Sequence, residues 1–277
     1  MIHKITYLLL FLTLGNMKYG TAQTRRLFLV AGQSNCVGMG DSSLSVICDS
    51  SSAFEYKASQ NSLALLKDPV GENYLSFQQA STGSAWPSFA YNYHLLTNDI
   101  IVIVPAARGG SSCNKKAEIP NDGTWDTSGN ILLFPNAVTK TKMAEQKTGL
   151  PLSGIIWIQG ERDANAINSK QLTEEEFKKS MQALISRFRN ALGASVPFYM
   201  VQTGVYVHHP VEGFNVVRKV QQWLADNIPS VFIAYFDANK FPEWGWMKDE
   251  IHYKQAAYNE IGKQVAAFIV NKAKQNY

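Results

Sequence analysis

Leu27-Phe28-Leu29-Val30-Ala31-Gly32-Gln33-Ser34-Asn35 is the stretch on which the reading of this chain turns. Its first five residues are continuously apolar. A run of that length without polar alternation is what a strand covered on both faces requires. Gly32 then permits a tight turn, and Ser34 stands just past the strand's carboxyl end. A serine presented there can act as a nucleophile once a base reaches it. It can equally do no more than cap the helix that follows.

The same apolar signature recurs at residues 99–105, 154–158, 197–202 and 231–236. Between these runs, residues 136–147, 173–192, 214–227 and 254–274 carry apolar side chains at helical spacing. The second of these opens on Thr173-Glu174-Glu175-Glu176, the signature of a capping box. Strands alternating with helices predict an α/β fold, a three-layer α/β/α sandwich around a mainly parallel five-stranded sheet. Residues 37–87 are rich in Ser, Asn, Gly and Asp and read as long loops with short helices over one end of the sheet. Residues 109–127 read as a second such stretch. Loops at the carboxyl ends of parallel strands are where such folds build their sites. No repeat, linker or composition shift divides the chain, so residues 23–277 read as a single domain.

The chain has 277 residues, with 26 Lys and Arg against 22 Asp and Glu, a formal net charge of +4. Hydrophobic residues make up 45% and charged residues only 17%, which excludes intrinsic disorder. The small, scattered positive charge does not argue for a nucleic-acid partner. Residues 1–22 have the plan of a signal peptide: Lys4, an apolar run over residues 5–14, and Gly20-Thr21-Ala22 as a small-residue cleavage site. The run is too short to span a bilayer, which takes about 20 residues. Cleavage after Ala22 removes Lys4 and Lys18 and no acid, leaving 255 residues and a net charge of +2. The expected location is secreted or periplasmic, with no stable membrane insertion. Cys36, Cys48 and Cys113 then allow one disulfide and one leftover thiol, or three thiols.

A base for Ser34 must come from His94, His208, His209 or His252. His252 follows Asp249 by three residues, so the carboxylate can lie beside the imidazole on one turn and stabilise the imidazolium. His208-His209-Pro210 lacks an adjacent carboxylate and follows a strand, so it reads as a loop pair or as site lining, and His94 reads as a packed helix residue. A second serine motif, Gly40-Asp41-Ser42-Ser43-Leu44, has no apolar strand leading into it and is set aside. No Cys or His spacing suits zinc, so neither metal nor cofactor is expected. Two further strand ends carry polar loops. Arg108-Gly109-Gly110-Ser111 follows one; its paired glycines let backbone N–H groups approach a ligand. Gln159-Gly160-Glu161-Arg162 follows another. The Gln159 amide can donate to an oxyanion, and Glu161 and Arg162 read as a rim ion pair. Trp86, Trp125, Trp244 and Trp246 fall in loop-like regions and either stack on sugars or anchor loops, whereas Trp157 and Trp223 read as core.

The order strand-GQSN, strand-ARGGSS, strand-WIQGE, then DxxH before the last helix resembles the SGNH hydrolase superfamily, and within it the sialate O-acetylesterase and acetylxylan esterase branch. The resemblance runs from Leu27 to about Val270. It implies Ser34 as nucleophile, His252 as general base and Asp249 as the orienting acid, with Glu161 able to share that role. It implies an oxyanion hole made of Ser34, Gly110 and Gln159, with Gln33, Asn35, Gly109 and Arg108 in support or facing substrate. Gln159 stands where the wider superfamily has an Asn in a Gly-x-Asn-Asp block, which this chain lacks. Arg108 is placed either to hold its loop or to meet an acidic sugar. The implied activity is hydrolysis of acetyl esters on sugars, sialic acids or xylan, by a serine esterase mechanism. A general short-chain carboxylesterase or lipase and a non-catalytic carbohydrate-binding protein are the other readings. The oligomeric state is not legible.

Overall fold

Alternate residues of the first strand face opposite layers of the molecule. In the computed structural model, which describes residues 23–275, strand β1 (Arg25–Gly32) sends Leu27, Leu29 and Ala31 into one apolar core and Phe28 and Val30 into another. Both sets are fully buried, as an unalternating apolar run demands. The first core is covered by α3 (Leu133–Thr148), α4 (Glu161–Asn168), α5 (Glu174–Leu192) and α6 (Glu212–Asn227). The second is covered by α1 (Ser34–Val37), α2 (Trp86–Thr97) and α7 (Gln255–Lys274). The result is the expected α/β sandwich. Thr173 and Glu176 form the expected capping box at the start of α5, each bonding the other's backbone N–H.

The sheet has seven strands, not five, in the order β3-β2-β4-β1-β5-β6-β7. The expected five are β1, β4 (Ile100–Ala107), β5 (Leu152–Ile158), β6 (Phe198–Val201) and β7 (Val231–Tyr235). The additional pair, β2 (Ala53–Lys57) and β3 (Ser62–Leu65), is an antiparallel hairpin inside the stretch read as loops. Its strands are short, lie at the sheet's edge and carry charge, so they leave no apolar run in the sequence. Glu55 is buried within it, accepts from the Gly71 N–H at 2.7 Å and pairs with Lys57 at 2.8 Å. Helix α2 also begins inside that stretch.

The topology sets the location of the site. β1 lies between β4 and β5, parallel to both, and Gly32 is level with Ala107 on one side and Ile158 on the other. The three strands therefore end together, and the loops that follow them converge at a point where the chain's winding changes direction. Gly32 is required there. Its φ is +148°, and a Cβ on it would sit 2.0 Å from the Ile158 carbonyl oxygen. Among the described residues no helix is long and apolar enough to cross a membrane. The expected signal peptide, residues 1–22, lies outside the described residues. All three cysteines are free thiols, so the disulfide alternative is not realised.

Candidate active site

The loop after β1 turns directly into α1, so Ser34 is the first residue of a helical turn and 6% exposed. A helix's first N–H groups lack intrahelical acceptors. The Ser34 N–H accordingly donates to no protein group among the described residues. On the far side of the cleft the chain makes a tight loop before α7 that brings Asp249 back onto His252. Asp249 Oδ1 accepts from the N–H groups of Ile251 at 2.9 Å and His252 at 2.7 Å. Its Oδ2 lies 2.9 Å from His252 Nδ1. His252 Nε2 lies 3.0 Å from Ser34 Oγ. Burial acts to raise the Asp249 pKa, but the two backbone donors and the imidazole outweigh it and hold the carboxyl below its ordinary value. The arrangement is that of a hydroxyl, a base within reach of its proton, and an acid fixing the ring's orientation.

Gly109 and Gly110 follow β4 and line the same cleft as Ser34 and His252. The Gly109 N–H is taken by Gln78 Oε1 at 2.7 Å. The Gly110 N–H donates to no protein group among the described residues. Gly110 has φ +68°, and a Cβ on it would fall 2.2 Å from the Asp122 carboxylate. With the Ser34 N–H it forms a pair of unspent backbone donors beside the Ser34 hydroxyl, an arrangement that could hold an oxyanion.

Gln159 lies elsewhere than its assigned role requires. It is buried behind the cleft, and its Nε2 donates to the Ser111 carbonyl at 3.2 Å and to the Asp163 carboxylate. One amide hydrogen is thereby spent on the loop that carries Gly110 and the other on α4. Asp163 also accepts from the Cys113 N–H at 2.8 Å and the Asn114 N–H at 3.0 Å. Burial raises its pKa to about 6 against these donors. Gln33, unlike Gln159, lines the cleft, with its Oε1 accepting from the N–H groups of Gly160 and Arg162, each at 3.2 Å.

Arg108 is not among the residues that line the cleft. Its guanidinium donates to the carbonyls of Ser76 at 2.8 Å and Asn121 at 2.6 Å, tying two loops together. Of its two expected uses, the structure has the loop clamp. Glu161 and Arg162 do not pair. Glu161 is buried and accepts from Asn35 Nδ2 at 2.7 Å, while Arg162 Nε donates to the Ala117 carbonyl at 2.6 Å. Burial raises the Glu161 pKa, opposed by Asn35, by the N–H groups at the start of α4 and by the nearby His252. Asn35 also donates to the Ile251 carbonyl at 3.2 Å and accepts from the Tyr258 hydroxyl at 2.8 Å.

Gln78, Asp122 and Tyr206 line the cleft without having been expected there, and Arg162 lines it without its expected partner Glu161. His209 stacks on Tyr206, ring centroids 3.6 Å apart, and so backs a residue of the cleft lining. His94 is in α2 as expected, with Nδ1 2.8 Å from the Asp99 carbonyl. Trp86, Trp125 and Trp157 are buried, and no tryptophan is among the described residues that line the cleft. Ser42 sits in an exposed turn capped by Asp41. No cluster of three or more metal-binding side chains occurs among the described residues.

Residues 24–271 match the family model described as carbohydrate esterase, sialic acid-specific acetylesterase. No curated protein matches the chain. Among solved structures, a protein from Arabidopsis thaliana is similar at a TM-score of 0.68 and 20% identity, over 90% of this chain and 98% of that one. The crystal structure of NanS is similar at 0.58 and 17%, over 91% and 98%. A family two carbohydrate esterase from Clostridium thermocellum, solved with cellohexaose, is similar at 0.50 and 13%, over 92% of this chain and 66% of its own. At these identities the likeness is one of fold.

Proposed function

The chain belongs to the carbohydrate esterase family of sialic acid-specific acetylesterases, and from that premise we propose that it hydrolyses acetyl esters on sugars through an acyl-enzyme on Ser34. One observation carries the reading: the continuous chain from Ser34 Oγ through His252 to Asp249, with contacts of 3.0 and 2.9 Å.

In the mechanism, His252 Nε2 takes the Ser34 proton as Oγ attacks the acetyl carbonyl. The negative charge that develops on the carbonyl oxygen is held by the N–H groups of Ser34 and Gly110. The carbon–oxygen bond to the sugar breaks, and the sugar oxygen leaves with the proton from His252. A water then gives its proton to His252 and attacks the acetyl-Ser34 carbonyl. The intermediate collapses to acetate, and Ser34 recovers its proton from His252. Asp249 accepts the Nδ1 proton's hydrogen bond throughout and so favours the tautomer with Nε2 free to act as base.

The signal-peptide pattern of residues 1–22 supports a secreted or periplasmic enzyme acting on glycans outside the cytosol. Acetate release from a panel of O-acetylated sialic acids and acetylated xylo-oligosaccharides tests the reading. Release from at least one class is expected; none from either overturns it.

A further inference from the structure

Gln78 lines the cleft that holds Ser34 and His252, and it is tied twice to the end of β4. Its backbone N–H donates to the Ala107 carbonyl at 3.0 Å, and its side-chain Oε1 accepts from the Gly109 N–H at 2.7 Å. Phe77, the residue before it, is buried and stacks on Trp125 with ring centroids 6.2 Å apart. Trp125 Nε1 in turn donates to Ser111 Oγ at 3.2 Å, on the same loop as Gly109. Main chain and side chain are thus both anchored, and the carboxamide keeps one orientation. Chemistry decides which end faces Gly109: a backbone N–H needs an acceptor, so the oxygen meets it and the N–H₂ is the other arm. That Nε2 donates to no protein group among the described residues. A Cβ on Gly109 would stand 3.1 Å from Gln78 Oε1 and 3.8 Å from Ser34 Cβ, so only Gly109 separates the amide from the nucleophile.

We propose that Gln78 is a catalytic residue, its Nε2 donating to the acyl oxygen as that atom becomes an oxyanion, beside the N–H groups of Ser34 and Gly110. The proposal rests on the ester-hydrolysis reading above and adds a residue to its machinery. The Gly109 N–H is spent on Oε1 and cannot reach a ligand itself. It polarises the carboxamide instead and strengthens Nε2 as a donor, so its effect is passed on to the cleft. A donor fixed before the substrate arrives costs no reorganisation when charge develops. No proton leaves the amide; bond making and breaking stay with Ser34 and His252. Gln159, to which the sequence assigns this role, has both amide hydrogens spent on Ser111 and Asp163.

The test uses two variants and two esters. Gln78→Glu keeps an oxygen for the Gly109 N–H but removes the donor, and Gln78→Met removes both without adding charge. The esters are 4-nitrophenyl acetate and its thionoacetate, in which sulfur, a weak acceptor, replaces the acyl oxygen. Both variants should lower kcat on the oxygen ester by about 10²- to 10³-fold, the typical effect of one oxyanion donor. KM should stay within about threefold, because the donor acts in the transition state. The thionoester should lose less, so the oxygen-to-sulfur ratio of kcat/KM should fall by at least about 10-fold. Both esters are read on one preparation, so any loss of folded protein cancels from the ratio. An unchanged ratio in Gln78→Met, or a loss of kcat in Gln78→Met that Gln78→Glu does not share, overturns the proposal, the second outcome leaving Gln78 as an anchor for Gly109. Full losses on the aryl ester with no acetate released from any sugar uphold Gln78 and overturn the sugar-esterase reading. A wild type that turns over neither aryl ester overturns both.

Discussion

Asn35 donates to the buried Glu161 carboxylate at 2.7 Å, and Asn35 is also bonded to the Ile251 carbonyl, one residue before the base. The neighbour of the nucleophile thus couples a buried acid to the segment that carries His252. Two carboxylates act on the imidazole in different ways: Asp249 touches it, and Glu161 acts only through its charge, with no ion pair to it among the described residues. Asp249→Ala should lower kcat by about 10²- to 10⁴-fold, because the ring loses both its orientation and its charge partner. Glu161→Gln keeps a side chain of the same shape and should cost about 10-fold, the equivalent of about 1.4 kcal/mol of imidazolium stabilisation. Steady-state kinetics on one acetyl ester compares them; equal, mild losses would mean that neither orients His252.

Ser34→Ala should reduce kcat on the order of 10⁶-fold, since the members of such a unit act together. Circular dichroism should be unchanged, because among the described residues the Ser34 hydroxyl bonds only to His252. A variant that stays active removes Ser34 from the mechanism.

Gly110→Ala should abolish turnover. The new Cβ meets the Asp122 side chain at 2.2 Å in a left-handed backbone conformation, so Asp122 must give way and the strained backbone turns its N–H from the cleft. Gln159→Ala should act through the same loop. It removes donors from Ser111 and Asp163 and should cost about 1–3 kcal/mol of stability along with activity. Urea unfolding separates the cases: an activity loss in Gln159→Ala without a stability loss would restore this residue to the oxyanion hole.

Asp163 makes stability fall as pH rises. Its folded pKa, about 6, lies above the ordinary aspartate value of 3.8, so the folded state holds its proton more tightly than the unfolded state. The favourable contribution is fully present below about pH 4 and is lost as pH rises through about 6. The difference corresponds to about 3 kcal/mol. Urea midpoints measured from pH 4 to 7 should carry this slope in the wild type and lose it in Asp163→Asn. Identical slopes would show that Asp163 titrates alike in both states.

The five central strands were legible because burial on both faces writes itself as an unbroken apolar run, as in residues 27–31 and 100–104. The β2–β3 hairpin was not, because its stability rests partly on Glu55 and Lys57, whose pairing leaves no apolar signature. Asp249 and His252 were legible because they meet within one turn. The fates of Gln159 and Arg108 were not, because both lie in the correct loops but point away from the cleft. Side-chain direction beyond a strand end depends on carbonyls contributed from elsewhere, here Ser111, Ser76 and Asn121. Arg162 was hidden for the same reason: its neighbour Glu161 turns inward to Asn35, leaving it unpaired.

Acid and base arrive together on one short loop, so a single long-range contact, His252 to Ser34 across 218 positions, completes the constellation. Everything else in the relay is local. Turnover is therefore a gauge of how that loop seats on the sheet's end, rather than of the sheet itself. Mild denaturant or a weakened anchor near Ile251 should silence the enzyme while its helices and strands are still intact, and restoring the loop alone should restore it.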